Sequence, residues 1–321
     1  MNASVSELVE GVSRGDRRAT AQAITLVEST RPEDVLAAEQ LLVELYPRTG
    51  RAQRVGISGL PGAGKSTLID ALGRHVIDGG HKLGVLAIDP SSQRSGGSVL
   101  GDRTRMTQLS RAPEAFVRPS PSAGASGGVA MRSREALLVL EAAGYDVLVV
   151  ETVGTGQAEI MVTELVDVLV VVLIAGAGDD IQGIKRGLLE HADVVVFNKA
   201  DGENQALANA ARDQLSSLYS FLRREVPEVV AVSARDGSGV LELWQLIERR
   251  FQALVASGTL EVRRREQRRA WLERSLEEAL LARFAGRDES REALARARVA
   301  VENGEILPRL AARRLLSGSD D

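Results

Sequence analysis

The residues with the clearest chemical potential lie at 59–67, where the chain reads Gly-Leu-Pro-Gly-Ala-Gly-Lys-Ser-Thr. This is a complete G-x-x-x-x-G-K-[ST] phosphate loop, with an apolar run before it and a helical pattern after it. In that context Lys65 can reach the β- and γ-phosphates, while the Ser66 hydroxyl can bind Mg²⁺ at a helix amino terminus that favours anions. The sequence therefore predicts a nucleoside triphosphate site. Its predicted nucleotide-binding members are Gly59, Pro61, Gly62, Ala63, Gly64, Lys65, Ser66 and Thr67.

A second motif predicts which base is bound. Asn198-Lys199-Ala200-Asp201 matches N-K-x-D at the end of an apolar run. The Asp201 carboxylate can accept both N1–H and N2–H₂ of guanine, whereas adenine offers no such donor pair and would leave a buried carboxylate unpaired. Ser233 and Ala234 end the next apolar run, where a backbone N–H can contact guanine O6. The motif predicts GTP and GDP as the bound nucleotides, with Asn198, Lys199, Asp201, Ser233 and Ala234 at the base.

Three carboxylates near the ends of apolar runs are candidates for the metal. Asp89 ends one run, Asp102 follows a glycine-rich stretch, and Glu151 ends another run. Hard cations prefer such oxygen ligands, so with Ser66 these acids form the predicted Mg²⁺ site. Gly154, three residues after Glu151, is predicted to contact the γ-phosphate through its N–H group.

The hydrolytic residues are predicted less directly. Lys65 and Mg²⁺ would neutralise phosphate charge, with Glu151 beside them. Gln157 is the best candidate for orienting the attacking water, although a role for backbone groups alone is equally open. Lys185 is a candidate cationic helper that a partner could push toward the γ-phosphate, and Arg103 and Arg105 share that description.

Composition limits the function classes. The 321 residues are 44% hydrophobic and 26% charged, with a formal charge of −4, which gives no general attraction to nucleic acid or to an anionic membrane. There is no cysteine and only three histidines, so disulfides and thiolate metal sites are excluded. No apolar run reaches the length of a membrane span, and the amino terminus lacks a secretory pattern. We expect a cytoplasmic protein with no nucleic-acid or membrane partner.

The elements that must position these residues follow from hydrophobic periodicity. The pattern is helical up to about residue 50, and from about residue 54 to 256 short apolar runs alternate with helical stretches. Continuous runs such as Val168–Ile174 indicate strands covered on both faces, hence an α/β fold of the P-loop NTPase class with a mostly parallel sheet wrapped by helices. The Ser-Ala-Gly-rich stretch Ser120–Gly128 is interpreted as a mobile loop.

The predicted organisation has three parts. Residues 1–50 form an amino-terminal helical extension, residues 51–257 the nucleotide-binding domain, and residues 258–321 a helical segment that packs on that domain or on a second copy of the chain. The last part is rich in arginine. Its run Arg263-Arg264-Arg265 is interpreted as a solvated helix face.

Together these stretches resemble one family, the methylmalonyl-CoA mutase-associated GTPases of the MeaB/ArgK type, also described as arginine/ornithine transport kinases. The resemblance covers roughly residues 10 to 310. The matching stretches are Gly59–Thr67, Ala87–Ser92, Gly96–Met106, Glu151–Glu159, Gly176–Gly187 and Asn198–Asp201, of which Gly96–Met106 and Gly176–Gly187 are the most specific.

The resemblance implies a homodimeric GTPase that escorts an adenosylcobalamin-dependent acyl-CoA mutase, gates cofactor delivery from an adenosyltransferase, and protects or reactivates the mutase. It places Lys65 on the phosphates and Ser66, Asp89, Asp102 and Glu151 around Mg²⁺. It also implies that Asp179, Gln182 and Lys185 lie in a segment that couples nucleotide state to the mutase. Ala175 replaces the usual proline before that segment, which frees its backbone φ.

Two other interpretations remain open. One is a nucleotide-dependent kinase or ATPase linked to arginine/ornithine transport, which would need a preference for ATP. The other is a nickel metallochaperone GTPase, a class that relies on cysteine and histidine clusters which this chain lacks.

Overall fold

The computed structural model describes residues 3–89, 106–121, 126–152, 161–176, 186–222, 227–286 and 288–317. The chain forms two compact units, residues 1–267 and residues 268–321. The predicted three-part division at residues 50 and 257 stays a prediction. Within the described ranges, no helix is both long enough and apolar enough to span a membrane.

Unit 1 is built on a seven-stranded sheet, counted over the described residues. The strands are β1 (Gln53–Gly59), β2 (Leu83–Asp89), β3 (Ala115–Pro121), β4 (Val147–Thr152), β5 (Val168–Ile174), β6 (Val194–Asn198) and β7 (Glu228–Ala231). Their order is β3-β2-β4-β1-β5-β6-β7, and every neighbouring pair is parallel. The predicted α/β fold with a mostly parallel sheet is confirmed, and all the carboxyl ends of the strands meet at one edge.

The described part of the chain contains eleven α-helices. They are α1 (Val5–Ser13), α2 (Arg17–Val27), α3 (Pro32–Leu45), α4 (Lys65–Asp78), α5 (Ser126–Ala142), α6 (Arg186–Glu190), α7 (Asn204–Leu222), α8 (Val240–Ala256), α9 (Thr259–Ala285), α10 (Asp288–Glu302) and α11 (Pro308–Ser317). The loop predicted over 120–128 is wrong at both ends, because β3 continues to Pro121 and α5 begins at Ser126. Glycines in the first turn of a helix destabilise it less than glycines in its interior. The Ser-Ala-Gly-rich composition therefore predicted a loop where the helix already begins.

The amino-terminal helices begin where their capping residues stand. The Ser4 side chain accepts the Glu7 N–H at 3.3 Å, and the Glu7 carboxylate accepts the Ser4 N–H at 2.7 Å, a reciprocal capping box at the start of α1. Asp16 accepts the Ala19 N–H at 2.7 Å at the start of α2, and α3 begins at Pro32. The helices predicted before residue 50 are confirmed.

Both faces of the sheet are covered, which explains the continuous apolar runs. Along β4, Leu148 and Val150 pack into the same core as residues of α1–α3 and α5. Val147 and Val149 face the opposite core, which is shared with α4 and α8. Successive side chains of a strand point to opposite faces. A strand that is covered on both faces therefore carries apolar residues at consecutive positions, without the polar-apolar alternation of a half-exposed strand.

The opposite, amino-terminal edge of the sheet holds a buried ion network that corrects one expectation. Arg264, predicted to be solvated, is buried and donates to the two Asp167 carboxylate oxygens at 2.8 and 2.6 Å. It also donates to the Gly50 carbonyl at 2.7 Å, and the Arg54 N–H reaches Asp167 at 2.9 Å. The arginine run is therefore not a uniformly solvated face, because Arg264 lies in the part of α9 that belongs to unit 1 and is buried within that unit.

Burial alone would lower the pKa of the Arg264 guanidinium, but the hydrogen bonds and charge of Asp167, followed by the charges of Glu141 and Glu261, raise it above its ordinary value. Arg263 continues the network by donating to the Asp167 carbonyl and pairing with Asp193 at 3.3 Å. Paired charges thus hold the first turns of α9, which belong to unit 1, in place within that unit.

Replacing Arg264 with alanine should lower the free energy of unfolding by about 3–5 kcal/mol, because it strands the fully buried Asp167 carboxylate. The neighbouring exposed Arg265 is the matched control, and its replacement should cost at most about 0.5 kcal/mol. Chemical denaturation of both variants measures this. Equal stability of the two would contradict the role given to the network.

Candidate functional site

The phosphate loop leaves the end of β1 through a position that only glycine can occupy. Gly59 has φ +139°, and a Cβ built there would lie 2.1 Å from the Val172 carbonyl oxygen of adjacent β5. Gly64 caps α4 in the left-handed region at φ +83°, and a Cβ there would meet the Asn198 side-chain nitrogen at 2.7 Å. The chain can turn tightly enough to present its N–H groups because these positions lack side chains.

Lys65 and Ser66 open helix α4 and are both buried. The Lys65 ammonium donates to the carbonyls of Gly59 at 2.9 Å and Leu60 at 3.0 Å, so it lies across the loop. A lysine ammonium next to the backbone N–H groups of a helix amino terminus is typical of an anion-binding site. The motif members predicted between Gly59 and Thr67 therefore lie together on one turn and the start of one helix.

Ser66 and Glu151, two of the predicted metal ligands, lie side by side. The Ser66 hydroxyl donates to Glu151 Oε1 at 2.8 Å, and both residues are buried. Glu151 reaches this position because β4 pairs with β1 in the register Ile57 to Glu151. A hydroxyl and a carboxylate side by side fit the oxygen chemistry of Mg²⁺.

The other predicted metal residues are only partly described. Asp89 ends β2, which pairs with β4 so that Ile88 lies opposite Thr152, and its backbone is therefore at the same edge as Glu151. Asp102 lies outside the described residues, as do Gly154, Gln157 and Lys185. Among the side chains that are described, no three acids or histidines converge as a metal cluster.

At the predicted base end, Asn198 joins two loops. Its amide nitrogen donates to the Ala63 carbonyl at 2.8 Å, and its amide oxygen accepts the Ala234 N–H at 3.1 Å. Lys199 follows with φ +62°, which is uncommon for a residue with a side chain and points to a constrained functional loop. One amide thus ties the phosphate loop to the loop after β7.

Beside this bridge lies a cavity of about 260 Å³. It is lined by Gly64, Thr67, Asn198, Lys199, Asp201, Asn204, Ala234 and Arg235. Within it, Asp201 accepts the Ser233 hydroxyl at 3.3 Å and lies 3.7 Å from the Arg235 guanidinium. The volume is below the roughly 300–1,000 Å³ of whole-ligand pockets, so it suits one base beside an open phosphate site.

Sequence reasoning missed Asn204 and Arg235, which both line this cavity. The only sign of them in the sequence is that they lie close to predicted site residues. Asn204 comes three residues after Asp201, and Arg235 comes directly after Ala234. Neither belongs to a recognised motif. Their place in the cavity depends on how β6 and β7 lie next to each other.

Known proteins are similar to this chain over most of its length. A family model described as methylmalonyl-CoA mutase-associated GTPase MeaB matches residues 20–289. A probable GTPase of Mycobacterium tuberculosis is 47% identical over 98% of this chain and 94% of its own length. A mouse protein described as a mitochondrial methylmalonic aciduria type A homolog is 40% identical over 97% of this chain and 79% of its own length.

A solved structure gives the same fold. The crystal structure described as that of an LAO/AO transport system kinase matches with a TM-score of 0.76 and 38% identity, covering 98% of this chain and 96% of that one. Fold and sequence therefore agree on a P-loop GTPase over nearly the whole chain.

Replacing Asn198 with aspartate tests the bridge. The substitution keeps an acceptor for the Ala234 N–H but sets a carboxylate oxygen against the Ala63 carbonyl, so GDP affinity should fall by about 10- to 100-fold, the effect of one lost buried hydrogen bond. Asn204→Asp adds the same charge to the same cavity without touching the bridge and should change affinity far less. Titration calorimetry measures both, and equal losses would refute the bridging role.

Proposed function

Because this chain belongs to the family of methylmalonyl-CoA mutase-associated GTPases, we propose that it controls an adenosylcobalamin-dependent acyl-CoA mutase through GTP binding and hydrolysis. That the chain is a GTPase follows from its family and its fold. The observation that supports the proposal most directly is the joined site, in which one amide links the phosphate loop to a base cavity containing Asp201.

In this proposal guanine enters the cavity and the Asp201 carboxylate accepts its N1–H and N2–H₂ groups. The Ser233 hydroxyl, 3.3 Å from Asp201 Oδ1, orients that carboxylate. Asn198, Lys199 and Ala234 line the cavity together with Asp201, so four of the five predicted base residues contribute to its wall. The nucleotide is thereby set in register with the phosphate loop.

Hydrolysis then depends on charge and position. Lys65 lies where its ammonium can leave the Gly59 and Leu60 carbonyls for phosphate oxygens, and the helix amino terminus adds positive potential. Ser66 and Glu151 would hold Mg²⁺, with Asp89 and Asp102 as further predicted ligands. Bound Mg²⁺ would neutralise charge between the β- and γ-phosphates.

The residues that would act on the attacking water stay predictions. Gln157 is the candidate for orienting the water, Gly154 for contacting the γ-phosphate, and Lys185 for a cation supplied on partner contact. An added cation is worth about 10³- to 10⁵-fold in comparable GTPases. An isolated protein that lacks this cation in place should therefore hydrolyse GTP slowly.

The proposed partners are the mutase, an adenosyltransferase that supplies its cofactor, and a second copy of this chain. The family name and the mouse relative's description support the mutase. The homodimer is supported by unit 2, where Leu272, Leu276 and Leu280 repeat every four residues along α9 and are 69%, 57% and 56% exposed. Such a stripe favours a helical partner.

The two other interpretations differ in nucleotide and metal chemistry. A kinase linked to transport is named in the description of the similar solved structure. It would require ATP, which offers Asp201 no matching donor pair. A nickel metallochaperone would require cysteine and histidine ligands, and the chain has no cysteine and three histidines.

Asp201→Asn should shift base preference from guanine toward xanthine nucleotides, because the new amide offers a donor where the carboxylate only accepted. GDP, XDP and ADP affinities of both proteins, measured by calorimetry, give the ratio. Guanine preference that survives the substitution unchanged would remove Asp201 from base recognition, and equal ATP and GTP binding by the unaltered chain would favour the kinase interpretation.

Addition of a cognate acyl-CoA mutase should raise the GTP turnover number at least tenfold, because the partner completes the charge around the γ-phosphate. A Lys65→Ala variant, which lacks the phosphate-loop cation, should show no turnover in either condition. Light scattering of the same mixtures gives the mass of the complex and shows whether two copies of this chain are present. Identical turnover with and without the mutase would contradict the proposed partnership.

A further inference from the structure

Two buried hydroxyl groups meet where strands β1 and β4 approach the carboxyl edge of the sheet. The register of these two strands ends at Ile57 opposite Glu151. Ser58 and Thr152 are the next residue on each strand, and the Thr152 hydroxyl donates to the Ser58 hydroxyl oxygen at 2.8 Å. A side-chain hydrogen bond therefore continues the link between the two strands beyond their last paired position.

This hydroxyl pair lies within an apolar core. Ser58 is 0% exposed and Thr152 is 1% exposed. Successive side chains of a strand point to opposite faces, so Thr152 shares its face with Val150, in the core that includes α5, whereas Glu151 faces α4. Replacing both hydroxyls with apolar groups of the same shape would cost such a core little. The pair supplies a directional contact instead, which sets the separation and the rotation of the two strand ends.

Each hydroxyl is next in sequence to a residue of the phosphate and metal site. Ser58 precedes Gly59, the first residue of the phosphate loop. Thr152 follows Glu151, whose Oε1 accepts the Ser66 hydroxyl at 2.8 Å. Ser66 lies on α4, which follows β1 through the phosphate loop, and Glu151 lies on β4. Their contact therefore depends on how the end of β4 lies against the end of β1.

We propose that Ser58 and Thr152 are positioning residues of the Mg²⁺ site. Their hydrogen bond holds the end of β4 against the end of β1 and so keeps the Glu151 carboxylate beside the Ser66 hydroxyl. The inference rests on the proposed binding of Mg²⁺ by Ser66 and Glu151. The two hydroxyls act through the backbone of the neighbouring residues, as outer hydrogen bonds do when they orient the ligands of a metal.

Thr152→Val keeps the shape of the side chain and removes its hydroxyl. The affinity of the GDP-bound protein for Mg²⁺ should fall by about 3- to 30-fold, somewhat less than the roughly 10- to 100-fold typical of partners bonded directly to a metal ligand. GDP affinity measured without metal should change much less, because Thr152 is not among the residues that line the base cavity. Thr152→Ser keeps the hydroxyl and should bind Mg²⁺ within about twofold of the unaltered chain.

A double substitution separates positioning from stability. Thr152→Val alone leaves the buried Ser58 hydroxyl without its partner, so the protein should unfold at a lower denaturant concentration. Ser58→Ala combined with Thr152→Val should recover much of that stability but none of the Mg²⁺ affinity, because the hydrogen bond is still missing.

Thr20→Val is the matched control. It removes a hydroxyl from another residue that is 0% exposed, where the Thr20 side chain donates to the Asp16 carbonyl at 2.7 Å in the first turn of α2. This variant should lose stability but bind Mg²⁺ as the unaltered chain does.

Calorimetric titration of MgCl₂ into metal-free protein saturated with GDP measures the Mg²⁺ affinity, and chemical denaturation measures the stability. If Thr152→Val binds Mg²⁺ as tightly as the unaltered chain, the inference is overturned. A double variant that regains Mg²⁺ affinity together with stability overturns it too, as does a Thr152→Ser variant as weak as the valine variant. Ser58→Ala breaks the same bond from β1 and should weaken Mg²⁺ binding equally, so the test also holds if the valine variant does not fold.

Glu151→Gln distinguishes this inference from the proposed metal site. If Glu151→Gln lowers the Mg²⁺ affinity while Thr152→Val and Ser58→Ala do not, only this inference fails and the metal site stands. If the GDP complex of the unaltered chain takes up no Mg²⁺, both fail.

Discussion

The site depends on one side-chain amide that satisfies two loops at once. Asn198 gives its donor to the Ala63 carbonyl in the phosphate loop and its acceptor to the Ala234 N–H after β7. Both contacts are at least partly buried, so losing either would leave a polar group without its partner at a cost of about 1–3 kcal/mol. The base and the triphosphate of one nucleotide can be bound at the same time only if the two pockets keep a constant separation. The Asn198 amide supplies that constraint, and Gly64 leaves room for it.

The two edges of the sheet have different tasks. At the carboxyl edge, strand ends present Glu151 and Asn198 to a site that must exchange ligands. At the amino edge, Asp167 and Asp193 precede β5 and β6 and are paired with Arg264 and Arg263 of α9. An arrangement that left one of these charges buried without its partner would be strongly destabilised. The two pairs therefore fix where α9 starts. Ligand exchange at the carboxyl edge is compatible with a stable fold because the permanent ion pairs lie at the amino edge.

Phosphate chemistry and base recognition rest on different physical principles in this molecule. The phosphate end uses backbone N–H groups, a helix amino terminus and Lys65, which suit any nucleoside triphosphate. The proposed base end relies on the Asp201 carboxylate, which only accepts, so a base without two matching donors would leave it unpaired. Membership of the methylmalonyl-CoA mutase-associated GTPases agrees with this combination, since a GTPase binds both a triphosphate and a guanine base. The exposed leucines of unit 2 bear on a separate proposal, the contact with a second copy of this chain.

The sequence alone determined the features that depend on neighbours along the chain: the phosphate loop, the capped helices before residue 50 and the buried parallel strands, whose continuous apolar runs reflect cover on both faces. It also pointed to Asp201, because N-K-x-D is a local motif. Only the tertiary structure decided that Asn198 bridges to Ala63 across 135 positions and that Arg264 is buried against Asp167 across 97 positions. It alone placed Arg235 in the base cavity. Contacts between distant residues leave no periodic trace in the sequence, since any strand order that buries the same apolar faces satisfies the same pattern.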